Sequence, residues 1–186
     1  MQLSFLSDEN LTRVLFLSPP SCGKTVLKKA KVKNLGQKGE PVVFLLPCYN
    51  GIKPLLFFYL KREFETLNIE GIKVDTVKAD FLLNIDEEDL MQKIENQYKG
   101  HHVFIDEVGI EEVKDISLLK KVAQKLESLS FWVSVTYVKN QDLRKQLEFP
   151  ESDFTIITDQ LNVPLRNPKT IVAKAHNIGI FLVFMQ

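Results

Sequence analysis

Cysteine is scarce in this 186-residue chain, with Cys22 and Cys48 the only two. Two cysteines cannot build a disulfide framework, and the pair suits a reducing compartment. Histidine offers no metal site in their place. The adjacent His101 and His102 would point to opposite faces of a strand, with no further Cys or His at ligand spacing. They read instead as residues leading into a strand. Excess charge of either sign is lacking too: 24 Lys and Arg balance 24 Asp and Glu. No overall field therefore favours a nucleic acid or an anionic membrane, although a local basic face stays open. No apolar run is long enough to cross a bilayer, so no membrane is expected as a partner. Repeats, low-complexity tracts and linker-like stretches are absent as well, which leaves a single domain over 1–186. No export leader is legible before the first apolar run. Asn10-Leu11-Thr12 is then a chance match to a glycosylation sequon, and the expected compartment is the cytoplasm, with the nucleus open.

What the chain does have is an ordinary globular composition, 45% apolar and 26% charged. A chain of this length buries about two-thirds of its unfolded surface. Apolar runs of strand length alternate with helix-compatible segments over short connections, the pattern of a mostly parallel sheet covered by helices on both faces. Strands are expected near 13–18, 42–46, 71–77, 101–108, 131–136, 154–157 and 178–184, the last being either a buried strand or a boundary inside a larger protein. Helices are expected from the first loop to about 34, and near 54–67, 86–98, 115–129, 140–147 and 169–175. Gly36, Gly39 and Pro41 break the first helix from the second strand, and 47–51 forms a turn. Leu55, Leu56, Phe58, Tyr59 and Phe64 are expected in the core. Lys28, Lys29, Lys31 and Lys33 read as a solvated helix face.

The segment on which the rest depends is Ser18-Pro19-Pro20-Ser21-Cys22-Gly23-Lys24-Thr25, directly after the apolar Arg13-Val14-Leu15-Phe16-Leu17. A buried strand running into a small-residue loop that closes with Gly-Lys-Thr is the pattern of a phosphate-binding loop. Successive backbone N–H groups and the following helix N-terminus make a nest for anionic oxygens. Residues 18–26, Val26 included, would line the nucleotide. Lys24 would reach the outer phosphates and the Thr25 hydroxyl would ligate Mg²⁺. Ser18 replaces the usual first glycine, while Gly23 is retained where the chain enters the helix. A glycine in an ordinary strand-to-helix turn is the plainer alternative.

A second signal lies about 80 residues on, in Val103-Phe104-Ile105-Asp106-Glu107. An apolar strand here delivers two carboxylates to its C-terminal end, where ligands bind in open α/β sheets. Asp106 would hold Mg²⁺ directly or through water, and Glu107 would polarise the attacking water. A strand that merely ends in acidic loop residues is the alternative. Asp106-Glu107-Val108-Gly109 also fits the D-x-x-G of a GTPase, but no N-K-x-D follows at a suitable spacing.

Taken together, several segments resemble the first motor domain of superfamily 1 helicase-like NTPases, and Schlafen-type ATPase domains are similar. They are the strand 42–46 with Pro47-Cys48-Tyr49-Asn50, Phe104-Ile105-Asp106-Glu107, the Trp132-containing strand, and 161–171. The resemblance implies a P-loop three-layer α/β/α sandwich that binds and hydrolyses ATP, or another nucleoside triphosphate, with Mg²⁺. It also implies that Arg166, within an L-x-x-N-x-R-[NST] segment, approaches the γ-phosphate; an arginine on a surface loop is the alternative. A nucleic acid or a protein stays open as a partner. The chain departs from the pattern at Gly109, where a glutamine is usual, and after the Trp132 strand, where Val135-Thr136-Tyr137-Val138-Lys139 replaces Gly-Asp-x-x-Gln. A nucleotide-binding switch with little hydrolysis is the main alternative. A small-molecule kinase would need an arginine-rich lid that Arg62, Arg144 and Arg166 do not form.

Overall fold

Val42–Leu46 and Val103–Ile105 are unbroken apolar runs, and every one of these residues is buried, because the sheet they belong to is covered on both faces. The computed structural model describes residues 10–17, 23–109, 113–126, 129–136 and 155–157. The strands are β1 (Arg13–Leu17), β2 (Val42–Tyr49), β3 (Ile72–Ala79), β4 (His102–Gly109), β5 (Phe131–Thr136) and β6 (Thr155–Ile157). The helices are α1 (Lys24–Gln37), α2 (Leu55–Thr66), α3 (Glu87–Gln92), which continues as a π turn over Lys93–Gln97, and α4 (Val113–Leu126). The sheet order is β3-β2-β4-β5-β1-β6, and every pairing is parallel.

Alternation along the strands divides the core into two apolar layers. Phe16, Phe44, Leu46, Phe104 and Trp132 pack on one face with Leu27, Val32 and Leu35 of α1 and Phe57, Leu60 and Phe64 of α2. Leu15, Leu45, Ile105 and Val133 pack on the other with Leu90 and Ile94 and with Leu119, Val122 and Leu126 of α4. Trp132 lies between Phe16 and Phe104, with ring centroids 5.7 and 5.6 Å away, and its indole N–H donates to the Leu11 carbonyl at 3.2 Å. Because α1 and α2 cover one face and α4 the other, the chain leaves β1 and β2 in one direction and β4 in the opposite one. Such a reversal opens a crevice at the carboxyl ends of the strands.

The alternating fold, the parallel sheet and the helices on both faces match expectation, while several boundaries move. β2 runs on through Pro47 and Cys48, where a turn was expected. Its last pair with β4 is Leu45↔Ile105, so Pro47 lies where only β3 still pairs alongside. Gly36 does not break α1. It lets the helix approach β3, since a Cβ there would lie 2.6 Å from the Ile72 Cδ1. Leu55, Phe58 and Tyr59 are exposed rather than core, and Phe57 and Leu60 are buried in their place. The expected helices at 140–147 and 169–175 and the strand at 178–184 lie outside the described residues.

Candidate functional site

Gly23 sits just ahead of α1 with φ 90° and ψ 6°, a left-handed conformation that glycine adopts without steric cost. The bend directs the start of α1, Lys24 and Thr25, back toward the carboxyl ends of the strands. Lys24 is buried. The Thr25 hydroxyl donates to Oδ2 of Asp106 at 2.6 Å, a contact spanning 81 residues of sequence. The start of α1 and the candidate acidic strand therefore meet.

One turn further along α1, Lys28 completes the junction. Its ammonium lies 2.5 Å from Oδ1 of Asp106 and donates to the Ile105 carbonyl at 2.9 Å. Lys28 is fully buried and Asp106 only 1% exposed. The Glu107 backbone N–H also donates to Oδ1 at 3.1 Å. Burial by itself would raise the Asp106 carboxyl, but the Lys28 charge, with hydrogen bonds from Lys28 and Thr25, holds it below the usual carboxylate range. Burial dominates at Lys28 and pushes its ammonium down to about 8, against the upward pull of Asp106. At neutral pH the two form a charged pair. Ser134 on β5 is fully buried beside them. Its hydroxyl helps to hold Asp106 down, yet it has no partner of full hydrogen-bond geometry among the described residues.

Glu107 departs from the strand. Its φ is +59°, in the left-handed region. The β4–β5 register jumps from Ile105↔Val133 to Val108↔Val135, so Asp106 and Glu107 together face Ser134. This is a β-bulge, which re-aims a side chain and locally ends pairing. Adjacent strand residues point to opposite faces, and a regular β4 would therefore carry Glu107 into the α4 layer. The bulge instead leaves Glu107 exposed beside a buried Asp106, while Val108 returns to the core. Two neighbouring carboxylates thus occupy very different surroundings.

Gly109, the position where the resemblance implies glutamine, has no room for a side chain. A Cβ would lie 2.0 Å from the Leu82 carbonyl oxygen, in the turn after β3 that also accepts the Gly109 N–H at the Leu83 carbonyl, 2.9 Å away. Val26 is exposed at the start of α1. Ser18, Pro19, Pro20, Ser21, Cys22 and Arg166 lie outside the described residues.

Lys28 is the residue that the sequence reading misplaced. Of the four lysines expected on a solvated face, Lys28 and Lys31 are buried, and Lys29 pairs with Glu63 at 2.6 Å. Lys31 packs over the Trp132 ring, 5.5 Å from its centroid. Only Lys33 is exposed. Positions 24, 28, 31 and 35 fall on one helical stripe with Leu27 and Val32, but the lysines in it leave no apolar pattern to mark it. His102 leads into β4 as expected, accepting from the Ser130 N–H at 2.8 Å with burial lowering its pKa. Among the described residues no group of three or more His, Cys, Asp or Glu gathers as a metal cage. A Mg²⁺ that arrives with phosphates needs only one or two protein ligands, and the Thr25–Asp106 pair fits that requirement. No family model and no curated protein matches this chain, so what the site can do rests on its own geometry.

Proposed function

We propose that the chain binds a nucleoside triphosphate, ATP or another, with Mg²⁺ at the carboxyl ends of β1 and β4, and hydrolyses it. The observation that carries this reading is the junction of Thr25 and Lys28 on α1 with Asp106 on β4, beside a Glu107 turned out by a bulge. Lys24 supplies positive charge to the outer phosphates, and the left-handed Gly23 aims the helix start at them. Thr25 and Asp106 would hold Mg²⁺, which when bound supplies charge neutralisation on the phosphate oxygens. Glu107 accepts a proton from the water that attacks the terminal phosphorus, and its backbone strain is of the kind that gathers at functional sites. Arg166 is proposed, from the helicase-like resemblance alone, to meet charge developing on the transferred phosphoryl group. A nucleic acid or protein partner stays open. No described helix is long and apolar enough to cross a membrane.

A second reading, a nucleotide-binding switch with little turnover, draws on Gly109. The Leu82 carbonyl excludes any side chain at the position of the usual glutamine, so that sensing group is missing for a structural reason. Glu107 separates the two readings. Glu107→Gln keeps the shape and removes the basic carboxylate. Under hydrolysis it should retain nucleotide and lose turnover by about 100-fold or more, the range of general-base catalysis. Turnover unchanged in Glu107→Gln removes the catalytic role, and a wild type that binds without turnover establishes the switch.

A further inference from the structure

Lys28 has a role that Lys24, Thr25, Asp106 and Glu107 do not cover. It is a fully buried cation on the inner side of Asp106, and α1 engages both carboxylate oxygens: Lys28 on Oδ1 and Thr25 on Oδ2. Stability is a weak reason for such a pair. Desolvating two charges offsets most of their attraction, and apolar replacement of a buried pair is often neutral or better. The position matters more. Lys28 neutralises a carboxylate at the very place where triphosphate oxygens are proposed to gather. Without it, Asp106 would repel those oxygens unless a divalent cation stood between.

Resting on the proposed nucleotide site, we infer that Lys28 is a tethered counter-ion that lets the phosphates bind with little help from Mg²⁺, leaving the metal to serve the chemistry. Lys28 touches no phosphate. It is a positioning residue that sets the charge and orientation of Asp106 from beneath, with the Ile105 carbonyl fixing its ammonium. The site then holds nucleotide with an affinity nearly independent of divalent metal.

The test is an equilibrium titration of a fluorescent ATP analogue into wild type and Lys28→Met, each with excess Mg²⁺ and with excess EDTA. Wild type should lose less than about 10-fold in affinity on metal removal. Lys28→Met should lose about 100-fold, the effect of one uncompensated charge a few ångströms from the phosphates at a protein's effective dielectric. Its affinity with Mg²⁺ present should stay within a few-fold of wild type. Equal losses in both buffers would make Lys28 purely structural and overturn the inference. The wild-type ratio decides even where Lys28→Met does not fold: a loss of more than about 10-fold in wild type overturns it. Wild type that binds no nucleotide in either buffer removes the nucleotide site itself, and this inference with it.

Discussion

Glu107 carries the sharpest residue-level consequence of the site. A side chain held at φ +59° costs about 1–3 kcal/mol and persists only where the surroundings impose it, as the bulge opposite Ser134 does here. Glycine adopts that conformation freely but gains freedom in the unfolded chain, so the two effects nearly cancel. Glu107→Gly should therefore leave stability unchanged or raise it by up to about 1 kcal/mol. Glu107→Val should lower it by about 1–3 kcal/mol, because a β-branched side chain tolerates positive φ worst. Urea unfolding of the two variants checks this, and a Glu107→Gly protein clearly weaker than wild type would deny that the backbone is strained. The strain could not be read from the sequence. Asp106 and Glu107 were legible as carboxylates at a strand end, but a period-two strand gives no warning that one inserted residue moves Glu107 out and returns Val108 to the core. Lys28 was hidden for a different reason. A lysine is almost never fully buried unless paired, and its partner lies on β4, far along the chain.

At the level of elements, apolar periodicity was a good guide where buried positions carry apolar residues and a poor one elsewhere. Leu119, Val122, Ala123 and Leu126 of α4 are buried as their spacing predicts. α1 shows no amphipathic pattern because Lys24, Lys28 and Lys31 occupy its inner stripe. α2 has the opposite fault, with apolar residues all round, so the buried stripe of Phe57, Leu60 and Phe64 could not be told from the outer one. Two leucines of that helix give a direct contrast. Leu60→Ala, at a fully buried position, should cost about 2–5 kcal/mol, whereas Leu55→Ala, at a position 88% exposed, should stay within about 0.5 kcal/mol of wild type. Similar losses in thermal or urea unfolding would contradict the assignment of faces. The π turn after α3 makes a different prediction. Its Lys93 donates to Asp75 of β3 at 2.8 Å, and the Tyr98 hydroxyl donates to the same oxygen at 2.7 Å. Burial would raise the Asp75 carboxyl, but these two hydrogen bonds, with the Thr76 backbone N–H and the Lys93 charge, outweigh it and hold the group below its usual range. A carboxylate so depressed adds stability above its unfolded value and loses that contribution as pH falls through its lower folded value. Asp75→Asn should cost about 1 kcal/mol near neutral pH, discounted for partial exposure, with the gap to wild type closing below about pH 4. A gap that persists undiminished at pH 3, on that carboxylate scale, would contradict the linkage.

For the molecule as a whole, the order β3-β2-β4-β5-β1-β6 decides where chemistry is placed. β5 stands between β1 and β4, yet α1 spans that gap from its start after β1, and Thr25 and Lys28 reach Asp106 across it. This architecture was legible in outline, since alternating apolar strands and helices leave few arrangements other than a covered parallel sheet. The strand order was not, because nothing in a strand's own residues names its neighbour. The central claim is that the helix start and the acidic strand together hold phosphates, and Lys24 is the residue whose removal tests it with least ambiguity. It is buried at the first position of α1, ahead of the Thr25 and Lys28 that contact Asp106. The decisive measurement is the affinity of a fluorescent ATP analogue for wild type and Lys24→Ala, with Mg²⁺ and with the fold of both checked by circular dichroism. A loss of at least about 100-fold, near 2.7 kcal/mol, in a folded Lys24→Ala protein is the predicted result. Equal affinity in the two proteins, or none in the wild type, would contradict it.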